Sequence, residues 1–154
     1  YLGIFKLPFI GPFLLSSELE RFSSIILLYL NSGITIDLAF KDSLHSLKNP
    51  ALKKEFTKVY QDMQEGKDFI IGLKKIPRLP TMFYELMASG YRSGNMRGAF
   101  EKVSQFLKFD LENKRNILLG ALEPTIILVM GGFILVLVMA IIIPILKMNT
   151  LLIN

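Results

Sequence analysis

Few side chains in this sequence are able to carry covalent or metal chemistry. His45 is the only histidine, and the chain has no cysteine. A zinc site needs several nitrogen or sulfur ligands, and general base catalysis most often uses a histidine. His45 lies between lysines on a predicted helix, so we expect a surface or boundary side chain. No metal ion or cofactor is predicted.

Three serines are the candidate nucleophiles: Ser32, Ser93 and Ser104. A serine hydrolase also needs a base and a group that orients the base, both within reach of the hydroxyl. A chain with a single histidine offers little for that arrangement. The sequence therefore predicts no catalytic residue and no enzyme.

The acidic side chains mostly fall on polar faces of predicted helices, opposite lysines and arginines. This pattern indicates a solvated surface with ion pairs rather than a metal cluster. The residues concerned are Glu18, Glu20, Glu55, Asp62, Glu65, Glu101, Asp110 and Glu112.

A glycine recurs at every fourth position at residues 90, 94 and 98, around Arg92, Ser93 and Asn95. A helix start follows, and helix N-termini attract anions. However, a phosphate loop requires a Gly-Lys-Ser/Thr ending after a strand, and both are missing. We therefore favour a turn with close helix packing over an anion site.

Glu123 is a charge about one turn inside an apolar stretch that begins at Ile117. A carboxylate in that position is costly unless it is hydrated or paired, and ionisable groups in membrane segments are functional candidates. Two interpretations stay open. The side chain either extends to the headgroup interface or contacts a specific partner.

Glu123 lies two positions before a run of 22 residues without charge, at positions 125–146. A helix of that length spans the roughly 30 Å core of a bilayer. Its position excludes a signal peptide, and it lacks the polar face usual in a soluble helix. Pro124 removes one backbone hydrogen bond, so it is predicted to start or kink the span.

The charges that flank the run predict its orientation. Lys108, Lys114 and Arg115 precede it and Lys147 alone follows, so the N-terminal side is expected in the cytoplasm and the C-terminus outside. The part up to Asn116 has 17 basic against 12 acidic residues and so carries a net charge of +5. That part should tolerate anionic lipid or an acidic partner. The chain begins with Tyr1 rather than Met, so we expect a piece of a longer protein.

The apolar periodicity before the run is helical and indicates an all-α fold. We predict an antiparallel bundle of about six helices followed by a C-terminal transmembrane helix. The predicted organisation is an entry segment (1–16), a cytoplasmic bundle domain (17–116), the transmembrane helix with its entry turn (117–146) and a tail on the far side (147–154).

Local patterns predict where the first two helices begin and end. Ser17 with Glu20 forms a capping box that is expected to start the first helix. Gly33 is expected to end it in a left-handed conformation. Thr35 is expected to cap the second helix.

The later helices carry similar signals. Asn49 before Pro50 predicts the start of a third helix, which Gly66 ends. A short fourth helix is expected at 68–74. Pro80 opens a fifth, and Asn95 caps a sixth that continues toward the membrane run.

Several motifs stand in a fixed order along the chain: Leu7-Pro8, Gly11-Pro12, Arg21-Phe22, Leu27-Leu28, Ser32-Gly33-Ile34, Ala39, Gly90, Ser93-Gly94, Glu123-Pro124, and Pro144-Ile145 before Asn149. In this order and spacing the sequence resembles the second half of the GspF/PilC family, the platform proteins of bacterial type II secretion and type IV pilus machines. The resemblance covers essentially the whole chain and is most specific from Leu122 to Asn149.

The resemblance implies a mechanical role in the bacterial inner membrane. Such platforms transmit motion from a cytoplasmic hexameric ATPase to pilin or pseudopilin subunits, which are extruded into a fibre. It also implies contacts with other inner-membrane assembly proteins, with lipid and within a homo-oligomer, and no nucleic-acid partner. One departure concerns Tyr91, which stands where the family usually has an acidic residue. Met96 replaces the usual leucine.

The expected partner-binding residues are Arg92, Ser93, Gly94, Arg97, Glu123 and Pro124. The arginines are hypothesised to face the ATPase, and Glu123 to pair with the N-terminal amine of a pilin subunit. An alternative remains a membrane-tethered adaptor whose basic bundle binds another protein or anionic lipid. A small transporter or channel subunit is weaker, because one span without a polar stripe lines no pathway unless many copies assemble.

Overall fold

The computed structural model describes residues 10–153. Helices make up 86% of these residues and no strand occurs among them, which confirms the all-α prediction. The helices are α1 (Ile10–Asn31), α2 (Ile36–Ser43), α3 (Pro50–Gln64), α4 (Phe69–Lys74), α5 (Thr81–Ser93) and α6 (Met96–Leu152), with a single 3-10 turn at Leu44–Ser46. The chain divides into a bundle unit that ends at Lys114 and a span unit that begins at Arg115.

Phenylalanine side chains from five helices form the centre of the bundle unit. The ring of Phe22 meets the rings of Phe40 and Phe56 edge-on, with centroids 5.1 and 4.8 Å apart. Phe83 and Phe100 complete the set, and none of the five is more than 1% exposed. Aromatic pairs in this geometry add stabilisation beyond the area they bury. The core thus fixes the helices that carry the sites described below.

The helix α1 begins at Ile10, so the predicted start at Ser17 is wrong. Ser17 lies inside a helix already in progress, and Glu20 accepts a hydrogen bond from Ser24, one turn further on, at 2.7 Å. Pro12 lies near the start of the described part of α1. The predicted entry segment is therefore helical from residue 10 onward. Its first nine residues lie outside the described part.

Most of the other predicted helix ends are confirmed. Asn49 is the N-cap of α3, and its side-chain oxygen accepts from the amides of Ala51 and Leu52 at 2.9 and 3.3 Å. Gly66 follows α3 with a positive φ of 76°. Thr35 stands at the N-cap of α2, but its hydroxyl makes no capping hydrogen bond.

Glu18 is an exception to the predicted solvated acidic surface. Its side chain is buried on α1, and both carboxylate oxygens accept from the backbone N–H of Asn49 at 3.1 Å. The carboxylate thus satisfies an amide at the entrance of α3 that the helix itself leaves unpaired. Glu18 therefore fixes α3 against α1.

The first and last helices of the bundle unit run antiparallel. Ser16 contacts Asp110 near one end of the pair, and Leu30 contacts Arg97 near the other. This register puts Ser23 of α1 at the level of Ser104 of α6. Both serines are buried, and within the described residues neither hydroxyl has a hydrogen-bond partner.

In the span unit, α6 continues without a break through Pro124 and Pro144. No helix therefore begins at Pro124. Among the described residues this is the one helix long and apolar enough to cross a membrane, with a mean hydropathy of 3.3 over its most apolar window and none of that window buried. A helix of the soluble core would be covered, so the exposure favours a membrane segment.

Candidate partner-binding surfaces

Four of the six predicted partner-binding residues lie at the turn between α5 and α6. Gly94 ends α5 with a positive φ of 71°, a conformation that glycine adopts without steric cost. The amide of Asn95 donates to the carbonyl of Gly90 at 2.9 Å, which closes the helix end as a Schellman motif. Asn95 then caps α6 by accepting from the amide of Gly98 at 3.0 Å, as predicted.

The turn between α1 and α2 has the same construction. Gly33 has a positive φ of 81°, and the amide of Ile34 donates to the carbonyl of Tyr29 at 3.0 Å. The hydroxyls of Ser32 and Ser93 each donate to a carbonyl of their own helix, at 3.0 and 3.3 Å. Both serines therefore take part in ending a helix.

These two turns meet at one end of the bundle unit. An open groove of about 450 Å³ runs between them and is lined by residues of both, among them Gly33 and Gly94. Arg97 Nη2 donates to the carbonyl oxygen of Leu30 at 3.0 Å. Arg97 is thus engaged with the end of α1, whereas Arg92 points from α5 with its side chain exposed.

The pairing of the turns is also visible as a repeated pattern in the sequence. Ser32-Gly33 is followed by Ala39-Phe40, and Ser93-Gly94 by Ala99-Phe100, with one residue fewer between them. Both Ala-Phe pairs are buried in the core. At each of the two turns, one helix therefore ends at Ser-Gly and the Ala-Phe pair of the next helix lies in the core.

Gly90 confirms the prediction of close helix packing. A Cβ atom added at Gly90 would lie 2.2 Å from the Cβ of Ala99 and 3.0 Å from the carbonyl oxygen of Asn95. Real Cβ atoms do not approach so closely, and backbone offers no flexible end that moves aside. α5 and α6 therefore cross here only because residue 90 has no side chain.

Tyr91, the residue after Gly90, makes an aromatic contact. The ring of Tyr91 stands edge-on to Phe69 of α4, with centroids 5.3 Å apart, and Tyr91 is 45% exposed. A tyrosine thus links α4 and α5.

A polar cluster joins α1 to α6, and the sequence did not predict it. Asp110 Oδ2 accepts from Ser16 Oγ and from Lys114 Nζ, both at 2.6 Å, while Lys114 also donates to Ser16 at 2.7 Å. Burial raises the pKa of Asp110, but the hydrogen bonds from Lys114 and Ser16 and the lysine charge outweigh it. The pKa of Asp110 therefore lies below its usual value.

The span unit holds the remaining two predicted residues, Glu123 and Pro124. Glu123 is exposed and forms no ion pair within the described part of the chain. Pro124 has no N–H to donate to the carbonyl of Gly120 one turn earlier, and nothing lies within 4 Å of the position of a Cβ at Gly120. Glu123 and Gly120 are three residues apart, so both lie on one side of the helix. This side therefore presents a carboxylate and a backbone carbonyl without its helical donor.

Comparison with known proteins places these features in one family. The family described as "Type II secretion system (T2SS), protein F" matches residues 22–144. The match covers both turns, the α5–α6 crossing and most of the apolar segment. The chain belongs to this family.

Curated relatives match nearly the whole chain. The type II secretion system protein F of Pseudomonas aeruginosa is 28% identical over 148 residues, which cover 96% of this chain and 36% of the relative. The corresponding protein of Vibrio cholerae gives the same identity and coverage. The type IV pilus assembly protein PilC of P. aeruginosa is 23% identical over 146 residues, 95% of this chain and 39% of the relative. The chain spans little more than a third of the length of these relatives.

Proposed function

We propose that this chain is part of an inner-membrane platform that couples a cytoplasmic assembly ATPase to the insertion of pilin or pseudopilin subunits into a fibre. The role is mechanical and involves no bond-making step. In this proposal the bundle unit lies in the cytoplasm and the residues after the apolar segment lie outside. The family relationship and the apolar part of α6 support it.

The observation that carries the proposal is the continuity of α6. Its first part supplies buried side chains to the bundle core, including Phe100, Val103 and Leu107. The same helix supplies the apolar membrane segment, with no interruption between them. We propose that this helix passes a displacement of the bundle unit on to the membrane segment.

Arg92 is the cation proposed to face the ATPase. It is exposed at the end of α5, beside the Gly94 turn, and is not engaged in an ion pair within the described residues. Arg97 contributes positive charge at the same turn while it holds α1 through Leu30. An acidic surface of the ATPase would complement both side chains.

Recruitment of the ATPase tests this contact. Arg92→Glu, alone and with Arg97→Glu, should lower several-fold the amount of the ATPase that co-purifies with membranes carrying the protein. Lys102→Glu, which changes an exposed charge on α6, is the matched control and should recruit normally. An unchanged pull-down for the Arg92 and Arg97 variants would refute the contact.

Glu123 is proposed to receive the N-terminal amine of a pilin subunit. The ammonium group would find a carboxylate at that depth, with the carbonyl of Gly120 as a second acceptor. Glu123→Gln should depress fibre assembly while membrane insertion stays intact. Glu112→Gln, at an exposed position of the bundle unit, should have no effect. Normal fibre numbers for Glu123→Gln would count against the pairing.

A further inference from the structure

The carbonyl of Ala140 lacks its helical hydrogen bond. Pro144, one turn further along α6, has no N–H to donate to it. Within the described residues no side chain donates to it either, since the hydroxyl of Thr150 is bonded to the carbonyls of Leu146 and Lys147. α6 stays an α-helix on both sides of Pro144, so no local change of helix type supplies another donor. Ala140 therefore presents a free backbone acceptor.

This acceptor lies inside the apolar segment. The middle of the charge-free run 125–146 falls between residues 135 and 136, and Ala140 follows that point by about 7 Å. With the run centred in a hydrocarbon core of roughly 30 Å, Ala140 lies about 8 Å inside the nearer edge. Water does not satisfy backbone groups at that depth, and an unpaired group there costs free energy. The carbonyl therefore needs a donor from a neighbouring molecule or segment.

The apolar segment has no donor of its own to offer. Residues 126–146 contain no side chain with a polar hydrogen atom. Lys147 is the next donor along the chain, but it would have to draw an ammonium group into the core, which is costly. A second copy of this helix at the same depth brings the same residues and would leave the carbonyl unpaired. The donor must therefore come from a different sequence.

We propose that a membrane helix from outside residues 1–154 packs against this side of α6 and donates a serine or threonine hydroxyl to the carbonyl of Ala140. Hydroxyl side chains form such hydrogen bonds between membrane helices. A hydroxyl has a single hydrogen to donate, whereas the amide of asparagine or glutamine has two and would leave one unpaired in lipid. A charged donor is more costly still at this depth. The hydroxyl is therefore the donor that best fits the position.

The helical repeat defines which face of α6 the partner helix covers. Residues seven positions apart share a side of a helix, so Phe133 lies on the side of Ala140. Phe133 is 64% exposed within the chain. Ile142, two positions after Ala140, is turned by about 200° and so lies on the opposite side. Ala140 itself has only a methyl group, which lets a neighbouring helix come close to the backbone.

Photocrosslinking in the cell's own membranes tests the contact. Phe133→benzoylphenylalanine should link α6 to one membrane helix, with a yield several-fold higher than Ile142→benzoylphenylalanine on the opposite side. Mass spectrometry of the linked peptide should show a serine or threonine about two helical turns from the link, the spacing between Phe133 and Ala140. Equal yields at the two positions, or a product formed only with lipid or with a second copy of this helix, would overturn the proposal.

Pro144→Ala distinguishes the hydrogen bond from mere proximity. Alanine at position 144 restores an N–H for the carbonyl of Ala140, so the outside hydroxyl is no longer needed and the yield from position 133 should fall several-fold. Ile145→Ala, which adds no N–H, is the matched control and should keep the yield.

Removal of the hydroxyl that the linked peptide identifies completes the test. Serine to alanine or threonine to valine in the partner helix should lower the yield several-fold when residue 144 is proline. The same change should have no further effect in the Pro144→Ala background, because the carbonyl is already paired there. Equal losses in both backgrounds would show that the hydroxyl does not bind this carbonyl.

The inference goes beyond the proposed function and can fail separately from it. Ala140 follows Glu123 by 17 residues, about 25 Å along the helix, so the two contacts share no side chain. Glu123→Gln should leave the crosslink from position 133 unchanged, whatever its effect on fibre assembly.

Discussion

The guanidinium of Arg97 donates a hydrogen bond to the carbonyl oxygen of Leu30, 67 positions earlier in the chain and 3.0 Å away. Leu30 lies in the last turn of α1, where carbonyls lack helical donors and the helix dipole is negative. A cation at this point satisfies a carbonyl and complements the dipole. Arg97 therefore joins the first helix to the last, in addition to any role at a partner surface.

Arg97→Ala should destabilise the bundle by about 1 kcal/mol, because it removes an exposed charge-assisted hydrogen bond and a favourable dipole interaction. Urea denaturation of the detergent-solubilised chain, followed by circular dichroism, measures the change. Lys102→Ala is the control, since Lys102 is exposed on α6 and makes no such contact, and its midpoint should not move. Equal stability of Arg97→Ala and wild type would show that the hydrogen bond contributes nothing.

Gly90→Ala should destabilise the protein by about 1–3 kcal/mol, the usual effect of overpacking. The new methyl would meet the Cβ of Ala99 and the backbone of Asn95, so α5 and α6 must separate. Ser89→Ala, at an exposed neighbouring position of the same helix, should leave the melting temperature nearly unchanged. If Gly90→Ala melts at the wild-type temperature, the two helices do not cross so closely.

Asp110 makes the stability of the bundle sensitive to acid. Its pKa is lower in the folded protein than in the unfolded chain, so its contribution is present above the unfolded pKa and is lost as the pH falls through the folded pKa. Between about pH 5 and pH 2, the wild type should lose stability more steeply than Asp110→Asn. Thermal melts across this range measure the difference. Glu112→Gln should follow the wild type, and parallel curves for Asp110→Asn would argue against the cluster.

The buried serines at the contact of α1 and α6 are expected to be dispensable. A buried hydroxyl without a partner costs free energy, and alanine is the better helix former, so Ser104→Ala should stabilise the bundle by about 1 kcal/mol. Ser23→Ala should act in the same direction. Ser16→Ala removes two hydrogen bonds and should do the opposite. A lower melting temperature for Ser104→Ala would indicate that its hydroxyl is satisfied after all.

Helix ends were predictable wherever one residue determines the local backbone. Gly33, Gly66 and Gly94 adopt the positive φ that their positions require. Asn49 before Pro50 predicted only one structure, the start of a helix. The start of α1 was missed because a capping-box pattern also fits the interior of a helix. Pro12, which is tolerated in a first turn, was the competing signal.

Contacts between distant residues could not be predicted in the same way. The pair of Asp110 and Lys114 is visible as an i, i+4 spacing, but Ser16 joins it only through the register of α1 against α6. Glu18 resembles a surface carboxylate until α3 places the amide of Asn49 against it. Both sites depend on how whole helices are packed, which periodicity alone does not specify.

The antiparallel register of α1 and α6 has a mechanical consequence. Pro12 and Ser16 lie beside Lys114, so the described start of α1 and the last residue of the bundle unit lie at the same end. If α1 and α6 were pulled at that end, the two helices would separate one turn at a time, beginning at the cluster around Asp110. The contacts between α1 and α6 would then break one after another. The bundle would therefore unfold at a lower force than if all of these contacts had to break at once.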